Sequence, residues 1–405
     1  MKRTITLGLA LLAIGLVLQG AMTGCGQAPS ADTREVVAGN AAFATDLYAK
    51  LKNEKGNLFF SPYSISTALA MTFAGARGNT AEQMTNVLHF AVPQDRLHPT
   101  FAGLEAELNA VQKKGKVQLS VANSLWPQKG YPFLPEYVRL LKQYYGTTVT
   151  PLDYVRATEA ARKTINDWVE QKTNRKITDL IKPGVLTPET VLVLANAIYF
   201  KGNWASQFDP RQTEDGQFLV ATNAYVKCRF MYRKGKYAFA ETPDLQVVEL
   251  PYAGDDLSMI VLLPRNTDGI GALEGELAPA RLAEWTQALR EREVVVSLPK
   301  FKLTCAFSLK ETLAAMGMTG AFSSKADFSG MDGSRLLFIS AVEHKAFVDV
   351  NEEGTEATAA TADVEEQKGI REMPVFRADH PFVFLIRDKH TGSILFLGRV
   401  ANPAA

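Results

Sequence analysis

Residues 190–200 form a run in which almost every side chain is apolar. A strand with this unbroken pattern is typical of a sheet that is covered on both faces. Apolar residues at helical spacing dominate the sequence before this run, and strand signals dominate after it. Helices first and strands later, without strict alternation, predict an α+β fold rather than a doubly wound sheet.

Several shorter segments carry recognisable signals. Residues 64–74 follow a Ser-Pro start and predict a helix that ends at Gly75. Residues 336–350 predict a long strand, and the alternation around Cys305 places that residue on an apolar face. Two hairpins are predicted where apolar strands flank a short turn, at residues 247–250 with 257–263 and at residues 382–386 with 394–397.

The composition of the 405-residue chain excludes several classes of protein. The 44 basic and 43 acidic residues nearly balance, so no charge excess points to nucleic acid as a partner. Three cysteines are too few for a disulfide framework, and five scattered histidines show no metal-ligand spacing. We therefore expect no metal and no cofactor. For Cys228 and Cys305 we favour buried thiols over a disulfide.

The sequence carries no recognisable catalytic motif. It contains no Gly-x-Ser-x-Gly, no His-Glu-x-x-His and no phosphate-binding loop that ends in Gly-Lys-Ser/Thr. Residues 269–274 begin like a dinucleotide-binding motif but lack its third glycine. His344 is a candidate general base, yet its apolar strand favours a hydrogen-bonded core histidine. These observations predict that the chain is not an enzyme.

The first 25 residues predict an exported lipoprotein. A basic start precedes an apolar run that is too short to span a membrane, which is typical of a signal peptide. Residues 22–25, Met-Thr-Gly-Cys, resemble the lipobox of bacterial lipoproteins, in which the cysteine is lipidated. We predict a lipoprotein signal peptide over residues 1–24, a lipid on Cys25 and a tether over residues 25–34. An ordinary signal peptide with a chance cysteine is the alternative.

The predicted lipid would anchor the protein to a membrane. Stable anchoring needs two or more acyl chains, because a single chain binds a bilayer only marginally. Gly26 follows the cysteine at the position where Asp often marks retention in the inner membrane. The sequence therefore favours the outer membrane, and exposure at the cell surface stays open.

Residues 353–373 are unusual for a packed domain. Val364, Ile370 and Met373 are the only large apolar residues in this segment. A segment of about 20 residues without structural signals is uncommon inside a compact domain and is usually functional or disordered. A plain surface loop is the alternative.

Six segments carry recognisable motifs, at residues 57–66, 75–80, 194–204, 342–362, 379–386 and 396–403. In their content and order these motifs resemble the serpin family, and the resemblance covers about residues 35–403. It implies one serpin domain over residues 35–405, with three β-sheets, eight or nine helices and an exposed reactive-centre loop at about residues 353–373. We expect this domain to be a monomer.

The resemblance also implies a function. A serpin is an irreversible suicide-substrate inhibitor of serine proteases, with cysteine proteases as a further target class. The target cuts the loop, forms a covalent acyl complex and is trapped when the freed upstream half inserts into the main sheet as a new strand. The alternative is a non-inhibitory serpin that binds or carries another molecule.

Particular residues acquire roles from the resemblance. The hinge of the loop is Gly354, Thr355, Glu356, Ala357, Thr358, Ala359, Ala360 and Thr361. The cluster at which the sheet opens is Ser61, Ser64, Asn196, His344 and Trp204. The usual spacing from Gly354 places the reactive bond at Lys368-Gly369, which predicts trypsin-like targets. Arg371-Glu372 is the runner-up, and counting back from Pro381 reaches Ile370 instead.

Overall fold

The structure is a computed structural model that describes residues 28–354 and 373–405. Its α-helices, in chain order, are α1 (Ala31–Leu51), α2 (Pro62–Phe73), α3 (Gly78–Leu88), α4 (Gln94–Lys113), α5 (Pro135–Tyr145), α6 (Tyr154–Lys172), α7 (Ile270–Glu276), α8 (Pro279–Gln287), α9 (Lys310–Ala315) and α10 (Ser329–Asp332). Short 3-10 turns lie at Pro210–Gln212 and Gly320–Phe322.

The strands follow the same order along the chain. They are β1 (Leu58–Phe60), β2 (Val117–Pro127), β3 (Leu192–Gly202), β4 (Glu214–Ala221), β5 (Ala224–Glu241), β6 (Leu245–Pro251), β7 (Leu257–Pro264), β8 (Arg290–Pro299), β9 (Phe301–Ser308), β10 (Ala341–Val350), β11 (Val375–Arg377), β12 (Phe382–Asp388) and β13 (Ile394–Val400). Both predicted hairpins form, as β6 with β7 and as β12 with β13.

The described strands form one sheet of nine strands and one of four. The larger sheet has the order β1-β13-β12-β7-β6-β5-β8-β11, and β4 also pairs with β5. Strand β5 spans 18 residues and pairs with β8 over most of its second half and with β6 near its end. The resemblance implies three sheets, but hydrogen bonds along β5 join two of them, so the described strands form two. The predicted α+β class is confirmed, although the described residues contain ten α-helices rather than eight or nine.

The smaller sheet has the order β2-β3-β10-β9. Its two central strands are parallel neighbours, paired from Val193–Ala341 to Phe200–Val348. Alternate residues of β3 face two different cores, because Val193 belongs to the core under α6 whereas Leu194 belongs to the core that contains α2. The predicted strand with two buried faces is therefore confirmed, and both of its faces are covered.

Helix α2 runs through the protein interior between the two sheets. All of its residues are buried, as expected for a helix that is surrounded by other elements. The helix begins where the sequence signals it, because the Ser61 hydroxyl accepts a hydrogen bond from the Ser64 N–H and Pro62 occupies the first turn. The N-terminus of α2 faces the smaller sheet, where the candidate site lies.

Two sequence boundaries differ in the structure. Helix α1 begins at Ala31 because the Ser30 hydroxyl caps it, so residues 31–34 of the predicted tether are helical. Strand β10 begins at Ala341 rather than at residue 336.

Cys228 and Cys305 are both free and partly buried, and burial raises the pKa of each thiol to about 11. Over the described ranges, no helix has the length and apolarity needed to span a bilayer.

Candidate functional site

Some of the predicted site residues lie within the described residues and others lie outside them. Cys25, residues 355–361 of the hinge, both candidate reactive bonds and Ile370 all lie outside the described residues. Gly354 and the five residues of the predicted sheet-opening cluster are described. Their geometry defines two separate places, one beneath the centre of the smaller sheet and one at the end of β10.

A row of three polar side chains crosses the centre of the smaller sheet. Asn196 of β3 is paired with Asn123 of β2 on one side and with His344 of β10 on the other. Residues that are directly paired across strands project from the same face of a sheet. Asn196 and His344 are almost completely buried, and the row faces the N-terminus of α2.

The hydrogen bonds of this row fix the protonation state of His344. The Ser61 N–H donates to His344 Nε2 at 3.2 Å, so Nε2 carries no proton. The proton therefore resides on Nδ1, which donates to Asn196 Oδ1. The Asn196 amide nitrogen in turn donates to Ser64, at 2.6 Å to the hydroxyl and 3.0 Å to the carbonyl, and to Asn123 Oδ1.

Burial keeps His344 neutral. The imidazole has no solvent exposure, and this desolvation lowers the pKa of His344 to about 3. The Ser61 hydroxyl completes the network by donating to the Leu395 carbonyl of β13 at 2.6 Å. Helix α2, the smaller sheet and the larger sheet are thus joined at one buried point by satisfied hydrogen bonds.

The central row lies on the seam between β3 and β10. Separation of these strands would break the bond between His344 and Asn196, while the bonds of Asn196 to Ser64 and Asn123 stay on one side of the seam. The sheet is therefore held closed by the backbone hydrogen bonds between β3 and β10 and, in addition, by one side-chain hydrogen bond, from His344 to Asn196. The described residues contain no group of three side chains that could hold a metal ion, and the row offers no nucleophile with a base.

Trp204 lies apart from the central row. It lies eight residues beyond Asn196 in the sequence, about 26 Å along an extended chain. The Trp204 ring stacks on Tyr252 with centroids 4.6 Å apart, and its indole N–H donates to the Asn351 carbonyl at 2.9 Å. Trp204 therefore lies where the loop leaves the sheet, apart from the other four residues of the predicted cluster, and its part in the opening of the sheet stays a prediction.

Gly354 closes a tight turn at the end of β10. Its N–H donates to the Asn351 carbonyl at 3.1 Å, and its φ of +94° lies in the region that favours glycine. A Cβ at this position would lie 2.3 Å from both the Gly202 carbonyl oxygen and the Trp204 backbone nitrogen. No side chain fits here, because those obstacles are backbone atoms.

Glu352 anchors the same turn. Its carboxylate accepts hydrogen bonds from the Thr213 hydroxyl at 2.9 Å and from the Lys300 ammonium at 2.7 Å. Burial by itself would raise the pKa of Glu352, but the bonds from Lys300, from its own N–H and from Thr213 outweigh burial and hold the pKa below its usual value. Its carbonyl also accepts from the Phe208 N–H at 2.8 Å.

Sequence reasoning missed Asn123, Glu352, Lys300 and Thr213. One signal existed for Asn123, because it interrupts an apolar alternation in β2 on the face that carries Leu119, Val121 and Leu125. The anchor of Glu352 had no comparable signal. Its two partners lie 139 and 52 residues away in the sequence, and only the fold brings them together.

Two features of the fold together indicate a class of protein. The central strands of the smaller sheet, β3 and β10, are parallel neighbours, and β10 ends in the turn at Gly354 that Glu352 anchors. The protein-family profile described as Serpin (serine protease inhibitor) matches residues 38–403. The chain belongs to the serpin family, and the predicted serpin fold is confirmed.

Individual relatives agree with this assignment. The chain is 45% identical to the leukocyte elastase inhibitor of Bos taurus over 379 residues, which cover 91% of this chain and all of that protein. The solved structure of uncleaved ovalbumin has a TM-score of 0.83 and 33% identity and covers 91% of this chain and all of that chain. Human thyroxine-binding globulin in complex with its hormone has a TM-score of 0.84 and 32% identity, with 93% of this chain and all of that chain covered.

The comparisons support inhibition of a protease as the activity and a protease as the partner. They also correct one prediction. The sequence predicts only that the chain is not an enzyme, and the comparisons replace this bare negative with a stated activity. The relatives are named as inhibitors of an elastase, which is a protease.

Proposed function

We propose that this chain traps its target protease irreversibly, by inserting the cleaved loop between β3 and β10. The observation that carries the proposal is the parallel pairing of these two strands directly before the anchored turn at residues 351–354. A strand inserted at this seam would continue from β10 through Gly354, whose backbone freedom suits a hinge.

The hinge residues suit burial in a sheet. Alternate strand residues face opposite sides, so Thr355, Ala357, Ala359 and Thr361 would turn inward together. All four are small or β-branched. Roughly a dozen new ladder bonds, each contributing about 0.5–1.5 kcal/mol, give a driving force on the order of ten kcal/mol. Asp363 is the next inward residue and limits insertion, because burial of an unpaired carboxylate is costly.

Insertion is tested by a pair of hinge variants. Thr355→Arg places an unpaired charge at the first inward position, whereas Glu356→Arg places the same charge at the adjacent outward position. We expect Thr355→Arg to be cleaved without trapping the protease and Glu356→Arg to trap it as the parent does. Denaturing gel electrophoresis measures the yield of covalent complex. Equal yields from both variants would refute the proposed register.

We propose Lys368-Gly369 as the reactive bond and trypsin-like proteases as the targets. A basic side chain at this position would pair with the carboxylate in the specificity pocket of such proteases. The names of the relatives favour a second candidate, an elastase, which would cut after a small or apolar residue such as Ile370. Arg371-Glu372 remains the other basic site.

The bond is identified by trapping trypsin and leukocyte elastase separately and sequencing the released fragment. A fragment that starts at Gly369 supports Lys368, a start at Arg371 supports Ile370, and a start at Glu372 supports Arg371. Lys368→Ala should abolish trapping of trypsin, with Lys325→Ala on the body of the domain as the control. Undiminished trapping by Lys368→Ala would exclude this residue as the determinant.

A binding or carrier role is the alternative function. The similarity to thyroxine-binding globulin, solved with a bound hormone, favours this alternative. The same gel assay discriminates the two functions. Covalent complexes support inhibition, whereas clean cleavage of the loop by every protease tested supports the non-inhibitory role.

We also propose that the mature protein is an exported, membrane-anchored lipoprotein of bacterial type. Support comes from the sequence motif at residues 22–25 alone. Its elements are a signal peptide over residues 1–24, a lipid on Cys25, a short tether and one serpin domain up to residue 405. Cys25→Ala should block lipid labelling and removal of the signal peptide. Normal processing and membrane attachment of that variant would refute the proposal.

A further inference from the structure

The downstream end of the loop is fastened to the domain by a short stretch of chain. The Val295 N–H of β8 donates to the Pro374 carbonyl at 3.0 Å, and β11 then pairs with β8 over three residues. Beyond β11, the Ala378 N–H donates to the Ser297 carbonyl at 2.9 Å. A strand this short gains little stability from its ladder alone. The side chains that follow β11 therefore decide how firmly this end of the loop is held.

Three side chains at the end of β11 and directly after it form a hydrogen-bonded chain. The His380 ring is 5% exposed; its Nδ1 lies 2.9 Å from Asp379 Oδ1, and its Nε2 lies 2.7 Å from the Pro264 carbonyl oxygen at the end of β7. The second carboxylate oxygen of Asp379 accepts from Arg377 Nε of β11 at 3.0 Å. We call Arg377, Asp379 and His380 the loop joint. It ties β11 to β7 through side chains alone.

The geometry of the loop joint requires a proton on both ring nitrogens of His380. A carbonyl oxygen can only accept a hydrogen bond, so Nε2 donates to Pro264. Burial by itself would raise the pKa of Asp379, but the hydrogen bond and charge of His380, together with Arg377, outweigh burial and hold that pKa below its usual value. Asp379 is therefore ionised above about pH 4, and an ionised carboxylate can only accept, so Nδ1 donates to it. The ring is an imidazolium.

Loss of one ring proton disables one of these two bonds. If Nε2 keeps its proton, the lone pair of Nδ1 faces the Asp379 carboxylate; if Nδ1 keeps it, the Pro264 carbonyl loses its donor. The other charged groups of this region are already engaged. Arg377 bonds to the second oxygen of Asp379, and Arg265, which follows Pro264, is paired with Glu241. Neither cation is therefore free to replace the lost bond.

We propose that the His380 imidazolium is a positioning residue that fixes the downstream end of the loop for attack by a protease, and that deprotonation of the ring loosens this end. Histidine is the side chain that ordinarily changes its charge in the physiological range of pH. The fold binds the protonated ring, so this contribution is present at low pH and is lost as pH rises. The effect on a protease rests on the proposed inhibitory function, whereas the state of the loop joint does not.

Native-state hydrogen exchange measures the loop joint directly. Two N–H groups report on it, because that of Leu219 donates to the Asp379 carbonyl at 2.8 Å and that of Ala378 donates to Ser297. Once the intrinsic effect of pH on exchange is divided out, both should exchange about tenfold faster at about pH 8.5 than at about pH 6 in the parent, because a buried hydrogen bond to a charged group is lost. Unchanged protection over this range would overturn the proposal.

Asp379→Asn separates protonation of the ring from mere structural support. The asparagine amide can donate to an unprotonated Nδ1 while Nε2 still donates to Pro264, so a neutral His380 satisfies both partners. Corrected exchange in this variant should not change with pH. The matched control is His89→Gln, since His89 also bonds to an aspartate, Asp46, at 2.8 Å but is partly exposed and follows α3; it should respond to pH as the parent does.

A second variant covers the case in which Asp379→Asn does not fold. His380→Arg places a permanent cation with several donors at the same position, and it should also remove the response to pH. An acceleration with pH in either folded variant that equals the acceleration in the parent would contradict the role of the ring proton.

The consequence for inhibition is measured as a ratio of association rates. The rate of the parent is divided by that of Asp379→Asn with the same protease at each pH, either trypsin or leukocyte elastase, so that the pH dependence of the protease cancels. We expect the ratio to fall about threefold between about pH 6 and about pH 8.5, because a loosened loop end must be ordered again on binding. A constant ratio would overturn the positioning role. If the parent traps neither protease, the proposed function fails, and the exchange of Leu219 and Ala378 alone decides whether the loop joint responds to pH.

Discussion

Replacement of Asn196 by alanine tests whether the central polar row holds the smaller sheet closed. The Asn196 amide oxygen accepts a hydrogen bond from His344 Nδ1, and the amide nitrogen donates to Ser64 and Asn123. Alanine removes all of these bonds and introduces no new group. His344 Nδ1–H then loses this partner at a position without solvent exposure, whereas Asn123 is half-buried and its Oδ1 still accepts from the Ser64 hydroxyl at 3.3 Å.

The expected loss of stability follows from the unpaired His344 donor and from the lost hydrogen bonds of Asn196 to Ser64 and Asn123. Each buried donor or acceptor that loses its partner costs about 1–3 kcal/mol. The effects within one network are not additive, so we expect a total of about 3 kcal/mol. For a domain that spans residues 38–403, an unfolding entropy of about 2.1 cal/mol/K per residue converts this loss to a fall of about 4 °C in the thermal midpoint.

The assay is thermal unfolding followed by circular dichroism, with Asn40→Ala as the matched control. Asn40 is also buried, but its amide makes one hydrogen bond, to the Ile394 carbonyl at 3.2 Å, and its Oδ1 has no partner. That variant should lower the midpoint by no more than about 1–2 °C. If Asn196→Ala lowers the midpoint no further than Asn40→Ala does, the central row does not carry the stability assigned to it.

Three further predictions concern the same two places. The pKa of His344 is about 3 in the folded protein, below its unfolded value of about 6.5. Its contribution to stability is therefore complete above about pH 6.5 and is lost as pH falls towards 3. The urea midpoint of the parent should drop more steeply below about pH 6.5 than that of His344→Asn, and parallel curves would contradict this. Gly354→Ala should cost roughly 3 kcal/mol because its Cβ meets backbone, whereas Gly56→Ala, with a similar φ of +84° and open space, should cost only about 1 kcal/mol; equal urea midpoints would be inconsistent with the clash. Glu352→Gln should lower the thermal midpoint and speed proteolytic cutting of the loop, because the bond to Lys300 loses its charge; an unchanged cutting rate would show that this anchor does not restrain the turn.

The buried strand β3 could be predicted because its pattern is local. Its alternate residues enter two cores, and an apolar run is the direct trace of that environment. The same run contains Asn196, which sequence reasoning assigned to the sheet-opening cluster through the family resemblance. The fold class and most of that cluster were therefore accessible before any coordinates.

The rest of the site depends on strand register and on long-range contacts. Asn123 becomes the neighbour of Asn196 only when β2 and β3 pair in one particular register, and a shift by one residue would turn it to the other face. Trp204 and Asn196 belong to one sequence motif, residues 194–204, but the extended strand β3 separates them in the fold. A shared motif therefore does not show which of its residues lie close together.

The bond between the Ser61 hydroxyl and the Leu395 carbonyl also has a consequence in time. The two residues are separated by 334 positions, and β1, next to Ser61, pairs with β13. At a synthesis rate of about 5–20 residues per second, the acceptor leaves the ribosome roughly 20–70 s after the donor. Until then the Ser61 hydroxyl lacks this acceptor and β1 lacks the strand with which it pairs. A newly made chain therefore cannot complete this contact between α2 and the larger sheet until almost its last residues have been added.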